Sequence, residues 1–299
     1  MQQLIVIEGA TASGKTALGV ALAKHLNTVV ISADSRQFYK EIAIGTAKPT
    51  VEEMQGIPHY FVDSHSIHQP VTAAQFAEEA LELLQTTLKD QAQVVVVGGS
   101  GLFIDALCIG LDPIPTDPEM QLQLRTELEE KGLAPLLAEL QQTDPGYFAE
   151  VDRDNSMRIL RALEVIRSTG KPFSEWRQNK PKPRPFTVKR FVIEHPREQL
   201  YQRINQRVDN MLANGLLDEV KAVYSFKDLA SLQTVGYNEL FDYLDGTSDW
   251  ETSIEKIKQH TRNYAKRQLT WFKRHPEAVW IPYDDTKNML QKVLQLIDN

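Results

Sequence analysis

Eight consecutive residues, Gly9-Ala10-Thr11-Ala12-Ser13-Gly14-Lys15-Thr16, hold the densest chemistry in the chain. The spacing G-x-x-x-x-G-K-[ST] lets backbone close around an anion, because glycine tolerates the sharp turn and the helix that follows presents its positive end. Lys15 adds a full positive charge, and the Thr16 hydroxyl is an oxygen ligand suited to Mg²⁺. A diphosphate or triphosphate fits there. Asp34 follows the apolar run 28–33. A carboxylate so placed serves either as a general base or as a Mg²⁺ ligand of the Walker-B kind, and chemistry alone leaves both open. Ser100 stands in the turn Gly98-Gly99-Ser100-Gly101 after four valines, where its hydroxyl either meets a ligand or shapes the turn.

These residues need elements to bring them together. Residues 4–7 read as a buried strand, and 16–26 as a helix with Leu18, Ala21, Leu22, His25 and Leu26 on one side. A second strand at 28–33, a helix at 73–88 and a valine strand at 93–97 follow. This alternation predicts an α/β fold, a P-loop doubly wound parallel sheet. Ligands of such sheets bind beyond the carboxyl ends of the strands, so the glycine loop, Asp34 and Ser100 should share one crevice. Residues 112–118 form a proline-punctuated linker, and helical patterns without strand signal run from 119 to 168. One helix there starts at Asp154 or Asn155, buries Ile159, Leu160, Leu163 and Ile166, and ends at Gly170; Arg158 and Arg161 share another face. After the stiff basic linker 180–185 come a strand at 187–193 and a helix at 196–212, with Leu200, Tyr201, Ile204, Val208, Met211 and Leu212 inward. A longer helix at 253–274 places Ile254, Ile257, Thr261, Tyr264, Gln268 and Phe272 on one face and Arg262, Lys266 and Lys273 on another. The expected organisation is a core of 1–110 plus 186–299, interrupted by a helical, basic insertion at 111–185.

At 299 residues and 42% hydrophobic, the chain can bury a full core. Cys108 is its only cysteine, which excludes an internal disulfide and a cysteine-rich zinc site and fits a reducing compartment. Residues 1–3 carry no basic leader, and no apolar run approaches the ~18 residues of a membrane span, so the expected location is the cytoplasm. His59, Asp63, His65 and His68 lack metal-ligand spacing. The net charge is −7, yet residues 153–190 hold eleven Lys/Arg against three acids. A second basic run, Arg262, Lys266, Arg267, Lys273 and Arg274, contains no acid. One such run is usually a solvated face; two on an acidic chain point to a polyanion.

The chain resembles the tRNA dimethylallyltransferases, also called tRNA isopentenyltransferases, over nearly its whole length. The matching segments are GATASGKT (9–16), ISADSRQFYKEIAIGTAKP (31–49), GIPHYFVD (56–63), VGGSGLFIDAL (97–107), MRILRALEVIRSTGKPFS (157–174), RINQRVDNMLANGLLDEV (203–220), VGYNEL (235–240) and TRNYAKRQLTWF (261–272). The resemblance implies transfer of a dimethylallyl group from dimethylallyl diphosphate to N6 of the adenine 3′ of a tRNA anticodon. Gly9, Ala10, Thr11, Ala12, Ser13, Gly14, Lys15 and Thr16 would then grip the diphosphate, with Mg²⁺ on Thr16 and Arg207 as a cap. Asp34 would act as base beside Ser100, which stands where the family usually has threonine. The tRNA would meet Asp34, Ser35, Arg36, Gln37, Ser100, Gln121, Arg158, Ile159, Leu160, Arg161, Ala162, Gly236, Tyr237, Arg262, Lys266 and Arg267. Trp271 and Phe272 either stack on bases or fill the core. The partners expected are the tRNA anticodon stem-loop and dimethylallyl diphosphate, with no membrane and a monomeric enzyme. Rival readings are an adenylate isopentenyltransferase acting on free nucleotides, a P-loop small-molecule kinase, and a non-catalytic RNA-binding module gated by a nucleotide.

Overall fold

Unbroken runs of branched apolar residues build a sheet buried on both faces, as parallel strands require. The computed structural model describes residues 1–178 and 180–297. In chain order it forms β1 (Gln2–Gly9), α1 (Lys15–His25), β2 (Val30–Ser32), α2 (Val51–Met54), β3 (His59–Tyr60), α3 (Ala73–Gln85), β4 (Gln93–Gly98) and α4 (Gly101–Cys108). Then come α5 (Pro118–Lys131), α6 (Leu133–Thr143), α7 (Pro145–Glu150), α8 (Ser156–Thr169) and α9 (Phe173–Trp176). The chain ends with β5 (Phe186–Glu194), α10 (Arg197–Ala213), α11 (Leu216–Ala222), α12 (Tyr237–Leu244), α13 (Trp250–Phe272), β6 (Val279–Pro282) and α14 (Thr286–Ile297).

Two units result, one from Met1–Ile109 joined to the residues from Pro183 onward, the other from Gly110–Lys182. The larger holds six strands, all parallel, in the order β3-β2-β4-β1-β5-β6. Strand alternation splits its core. Leu4, Val6, Ile31, Val94 and Val96 face Phe38, Phe76 and Ile104 on one side, while Ile5, Ile7, Val30, Val95 and Val97 face Leu18, Leu22, Met289 and Val293 on the other. The sequence pattern gave no sign of β3, β6, α4 or α14. It also misplaced the inner face of α1, which buries Leu18, Gly19, Val20, Leu22 and Ala23 and leaves His25 exposed. The sheet and α14 both pack on α1, so its buried arc is wider than a single stripe. Gly19 permits the close approach: a Cβ there would lie 2.3 Å from Val97 Cγ2.

The smaller unit closes on Leu124, Leu136, Leu140, Tyr147, Ile159, Leu163 and Ile166. Asn155, rather than Asp154, caps α8 by accepting from the Arg158 N–H at 3.2 Å, and Gly170 ends the helix in the left-handed region.

Part of the basic run 153–190 is internal and is not available to a polyanion. Arg190 lies inside the larger unit, donating to Glu8 at 2.5 Å and 3.2 Å, to Asp105 at 2.9 Å and to His275 Nδ1 at 3.0 Å. Burial pushes the Glu8 carboxyl up against the opposing pull of Arg190. Lys189 donates to the last carbonyls of α14. Within the smaller unit Arg167 bridges Glu127 and Glu139, and Arg161 pairs with buried Glu164 at 2.5 Å. Phe272 is fully buried, which makes it a core residue, while half-buried Trp271 donates its indole N–H to Asp105 at 2.7 Å with Arg274 over its ring at 4.7 Å. Arg190→Met would strand two buried carboxylates. Denaturant unfolding should show a loss of about 3–5 kcal/mol; a loss below about 1 kcal/mol would contradict the pairing.

Candidate active site

Register brings the site together. Glu8 of β1 stands opposite Gly98 of β4 and Val192 of β5, and Ser32 of β2 opposite Val97, so the glycine loop, the Gly99-Ser100 turn and Asp34 leave the sheet at one level. Gly98 allows this, since a Cβ there would lie 2.3 Å from the Ala33 carbonyl oxygen.

The loop turns through left-handed backbone at Ala12 and Gly14. The Ser13 N–H returns to the Ala10 carbonyl at 3.1 Å, and the Thr11 N–H donates to Gln268 Oε1 at 2.9 Å. Among the described residues the N–H groups of Ala12, Gly14, Lys15 and Thr16 find no acceptor in the chain. Unpaired donors at a helix start, with an ammonium beside them, make an anion site. Burial brings the Lys15 ammonium down to about 8, helped by the Arg207 charge and opposed by Asp34. Burial likewise lowers Arg207, whose guanidinium the Asp34 charge supports.

Across the cavity stands Asp34, one oxygen of which accepts from the Arg36 N–H at 3.1 Å. Ser100 Oγ accepts from the Ser35 N–H at 3.0 Å and donates to Ser35 Oγ at 3.1 Å. Tyr264 joins the group through a hydrogen bond with Ser100, and burial with the Asp34 charge pushes its phenol up to about 12. Lys15, Thr16, Asp34, Arg207, Tyr264 and Arg267 line one cavity of about 370 Å³. Val208, Met211, Leu216 and Ile257 give it an apolar wall. Gln268 spans the floor, accepting from Thr11 and donating to the Gly99 carbonyl at 2.8 Å, and so sets the spacing of two loops.

The other candidate residues divide. Arg36 is spent on structure, donating to the carbonyls of Ala230, Ser231 and Gln233 at 2.8–3.1 Å. Gln37 accepts from Ser32 at 3.1 Å and donates to the Ala47 carbonyl at 3.2 Å. Gly236 lines the cavity, while the Tyr237 side chain is fully buried and taken up in packing; its hydroxyl donates to Glu219 at 2.5 Å. That carboxylate also accepts from the N–H groups of Ala43, Ile44 and Gly45, fixing a loop whose Gly45, Thr46 and Ala47 line the cavity. Arg262 donates to Asn205 at 2.7 Å, whereas Lys266 and Arg267 are exposed. In the smaller unit Gln121, Leu160 and Arg161 line a cleft of about 100 Å³, Arg158 is exposed, and Ile159 and Ala162 are wholly buried, so their side chains are taken up in packing.

Sequence reasoning missed Arg203, Tyr264 and Gln268 as site residues. Arg203 lies one helical turn before Arg207, and its Nε donates to the Ala12 carbonyl at 2.8 Å. Tyr264 and Gln268 stood on the inward face of α13, and polar groups on an otherwise apolar face were the available signal.

A family model described as IPP transferase matches residues 37–275. The chain is 44% identical over 298 residues to tRNA dimethylallyltransferase 2 of Parabacteroides distasonis, covering 99% of this chain and 100% of the relative. It is 47% identical over 278 residues to the tRNA dimethylallyltransferase of Cytophaga hutchinsonii, covering 93% and 91%. The chain belongs to the IPP transferase family. Among solved structures it is similar to the full-length tRNA isopentenylpyrophosphate transferase of Bacillus halodurans, with 35% identity, 100% and 96% coverage and a TM-score of 0.73. A eukaryotic dimethylallyltransferase acting on tRNA superposes with a TM-score of 0.79 at 26% identity, covering 99% of this chain and 78% of that one. No helix among the described residues is long and apolar enough to cross a membrane.

Only protonated Lys15 attracts an anion. With its pKa near 8 in the free protein, inorganic diphosphate should bind progressively more weakly above pH 8, by up to about tenfold per pH unit, relative to Lys15→Arg. Calorimetric titration of both proteins checks this; parallel pH profiles would contradict it.

Proposed function

We propose that this member of the family is a tRNA dimethylallyltransferase. It transfers the dimethylallyl group of dimethylallyl diphosphate to the exocyclic N6 amine of the adenine immediately 3′ of the anticodon. The observation that carries this reading is the single cavity in which an anion cradle with Lys15, a carboxylate at Asp34 and an apolar wall converge. An apolar wall beside the cradle suits a hydrocarbon group carried on a diphosphate.

The reaction breaks the bond between C1 of the allyl group and the diphosphate oxygen, and the electron pair leaves with the diphosphate. The unpaired N–H groups of Ala12, Gly14, Lys15 and Thr16, with the Lys15 ammonium and Arg207, stabilise that growing charge; such preorganised electrostatics are usually the largest catalytic contribution. Val208, Met211, Leu216 and Ile257 give the five-carbon chain an apolar seat. N6 forms the new bond to C1, and its proton passes to Asp34. The amine is a weak nucleophile because its lone pair is delocalised into the ring, so a positioned base is worth ~10²- to 10⁴-fold. Ser100 and Tyr264 hold hydroxyls beside that carboxylate.

The donor set fits Mg²⁺. Thr16 Oγ1, diphosphate oxygens and water are hard oxygen ligands of the sort this ion prefers, with Asp34 across the same cavity. Bound there, the ion would neutralise charge on the leaving diphosphate.

The adenine must leave its stack to reach Asp34, at a cost of a few kcal/mol that is smallest in a single-stranded loop. Exposed Lys266 and Arg267 on α13, and Arg158 on α8, offer charge to the RNA backbone. A protein with this function works in the cytoplasm, where its tRNA substrate is found.

Asp34→Asn should lower kcat by ~10²-fold or more while leaving tRNA affinity nearly unchanged. Single-turnover kinetics and filter binding check this pair of values, and near-normal turnover would remove Asp34 from the base role. Arg158→Ala should flatten the salt dependence of tRNA binding by about 0.7–0.9 log units per lost phosphate contact. An unchanged slope would return Arg158 to a plain solvated arginine. With labelled dimethylallyl diphosphate, an anticodon stem-loop RNA should accept label and AMP should not; label on AMP alone would contradict the tRNA assignment.

A further inference from the structure

We infer that His195 is a positioning residue for the anion cradle: its imidazole pins the Ser13–Gly14 peptide so that the Gly14 N–H faces the bound diphosphate. The inference rests on the reading of the glycine loop as a diphosphate cradle and adds a residue that neither the loop motif nor the cavity lining contains.

His195 follows β5 directly and is 8% exposed. Its Nε2 lies 2.9 Å from the Ser13 carbonyl oxygen. A carbonyl can only accept, so Nε2 carries the proton. Nδ1 is buried without a partner among the described residues, and a second proton there would be a buried, unpaired donor. The ring therefore stays neutral in the Nε2–H form. Burial and the nearby Arg203 charge hold it below the ordinary histidine range, against the pull of the Ser13 bond. Tyr283 stacks on the ring with centroids 4.0 Å apart, and Arg203 holds Tyr283, lying over its ring at 4.9 Å and donating to its hydroxyl at 3.1 Å while reaching the Ala12 carbonyl.

The consequence for the cradle follows from peptide geometry. In a planar trans peptide the C=O of one residue and the N–H of the next point in opposite directions. Holding the Ser13 carbonyl toward His195 therefore turns the Gly14 N–H away from it, and that N–H has no acceptor in the chain. Gly14 has φ +90°, in the permissive left-handed region, so its flanking peptides can rotate unless something holds one of them. His195 holds one from outside the loop.

The test compares His195→Gln with His195→Leu. The glutamine amide nitrogen can take the place of Nε2 and donate to Ser13, whereas leucine fills the space and donates nothing. In titrations with inorganic diphosphate, His195→Leu should bind about 10-fold more weakly than wild type, and His195→Gln should recover to within about threefold. In steady state the leucine variant should raise KM for dimethylallyl diphosphate and leave KM for tRNA unchanged. Thermal unfolding of both variants separates a general loss of fold from a loss of positioning, since the glutamine variant is the less apolar of the two yet should be the better binder. Nitrogen-15 NMR of the wild type should show Nδ1 unprotonated. Equal diphosphate binding by leucine variant and wild type, equal loss in both variants, or a protonated Nδ1 would overturn the inference. A wild type that binds diphosphate but transfers no dimethylallyl group would sink the proposed function and leave the His195 comparison standing.

Discussion

Backbone amides that fold without a partner are the constraint on which the rest of the molecule turns. Among the described residues the N–H groups of Ala12, Gly14, Lys15 and Thr16 have no acceptor in the chain, beside an ammonium whose pKa burial lowers. Donors left free in this way can close together on an anion. The structure around it keeps the loop from relaxing into self-satisfaction: Gln268 takes Thr11, Arg203 takes the Ala12 carbonyl, His195 takes the Ser13 carbonyl, and β4 and β5 clamp β1 on both edges. Each of these contacts comes from a segment far along the chain. The loop's N–H groups are thus kept for a ligand.

Charge is distributed to serve that end. The chain is acidic overall, yet its cavity concentrates Lys15, Arg207 and Arg267 around one carboxylate. An anion bound there would meet positive charge, while the carboxylate lines the same cavity. Below the loop, the Glu8–Arg190–Asp105 group ties the end of β1 to α4, β5 and the end of α13. A buried cluster of this kind is a poor source of stability but a strict one of geometry, because every partner must be present at once. It holds the strand that carries the loop in register with the helix that carries Tyr264 and Gln268.

The parallel core was legible because its signal is local: unbroken valine and isoleucine runs ending in glycine or aspartate read as strands with a site at their carboxyl ends. The same logic put the glycine loop, Asp34 and Ser100 in one crevice. What escaped was set by distant contacts. β3 has two residues, and β6 is an edge strand with an exposed Val279 and a terminal proline, too short and irregular for a period to emerge. Arg190 read as one more surface cation because its partner Glu8 lies 182 residues away. Tyr237 read as a nucleic-acid contact, and only the Glu219 carboxylate and the Gly45 loop explain why it is inside. Arg203 and His195 touch the loop through its carbonyls, and backbone oxygens leave no trace in a sequence.

The central step is activation of an allylic leaving group by the loop for attack by an adenine amine. The most direct measurement is mass spectrometric analysis of nucleosides from an anticodon-containing tRNA after incubation with the protein, dimethylallyl diphosphate, Mg²⁺ and, in a parallel reaction, ATP. The account predicts one adenosine, immediately 3′ of the anticodon, carrying a five-carbon group on N6, with ATP neither required nor consumed. Unmodified tRNA together with transfer or hydrolysis of the ATP γ-phosphoryl group would contradict it.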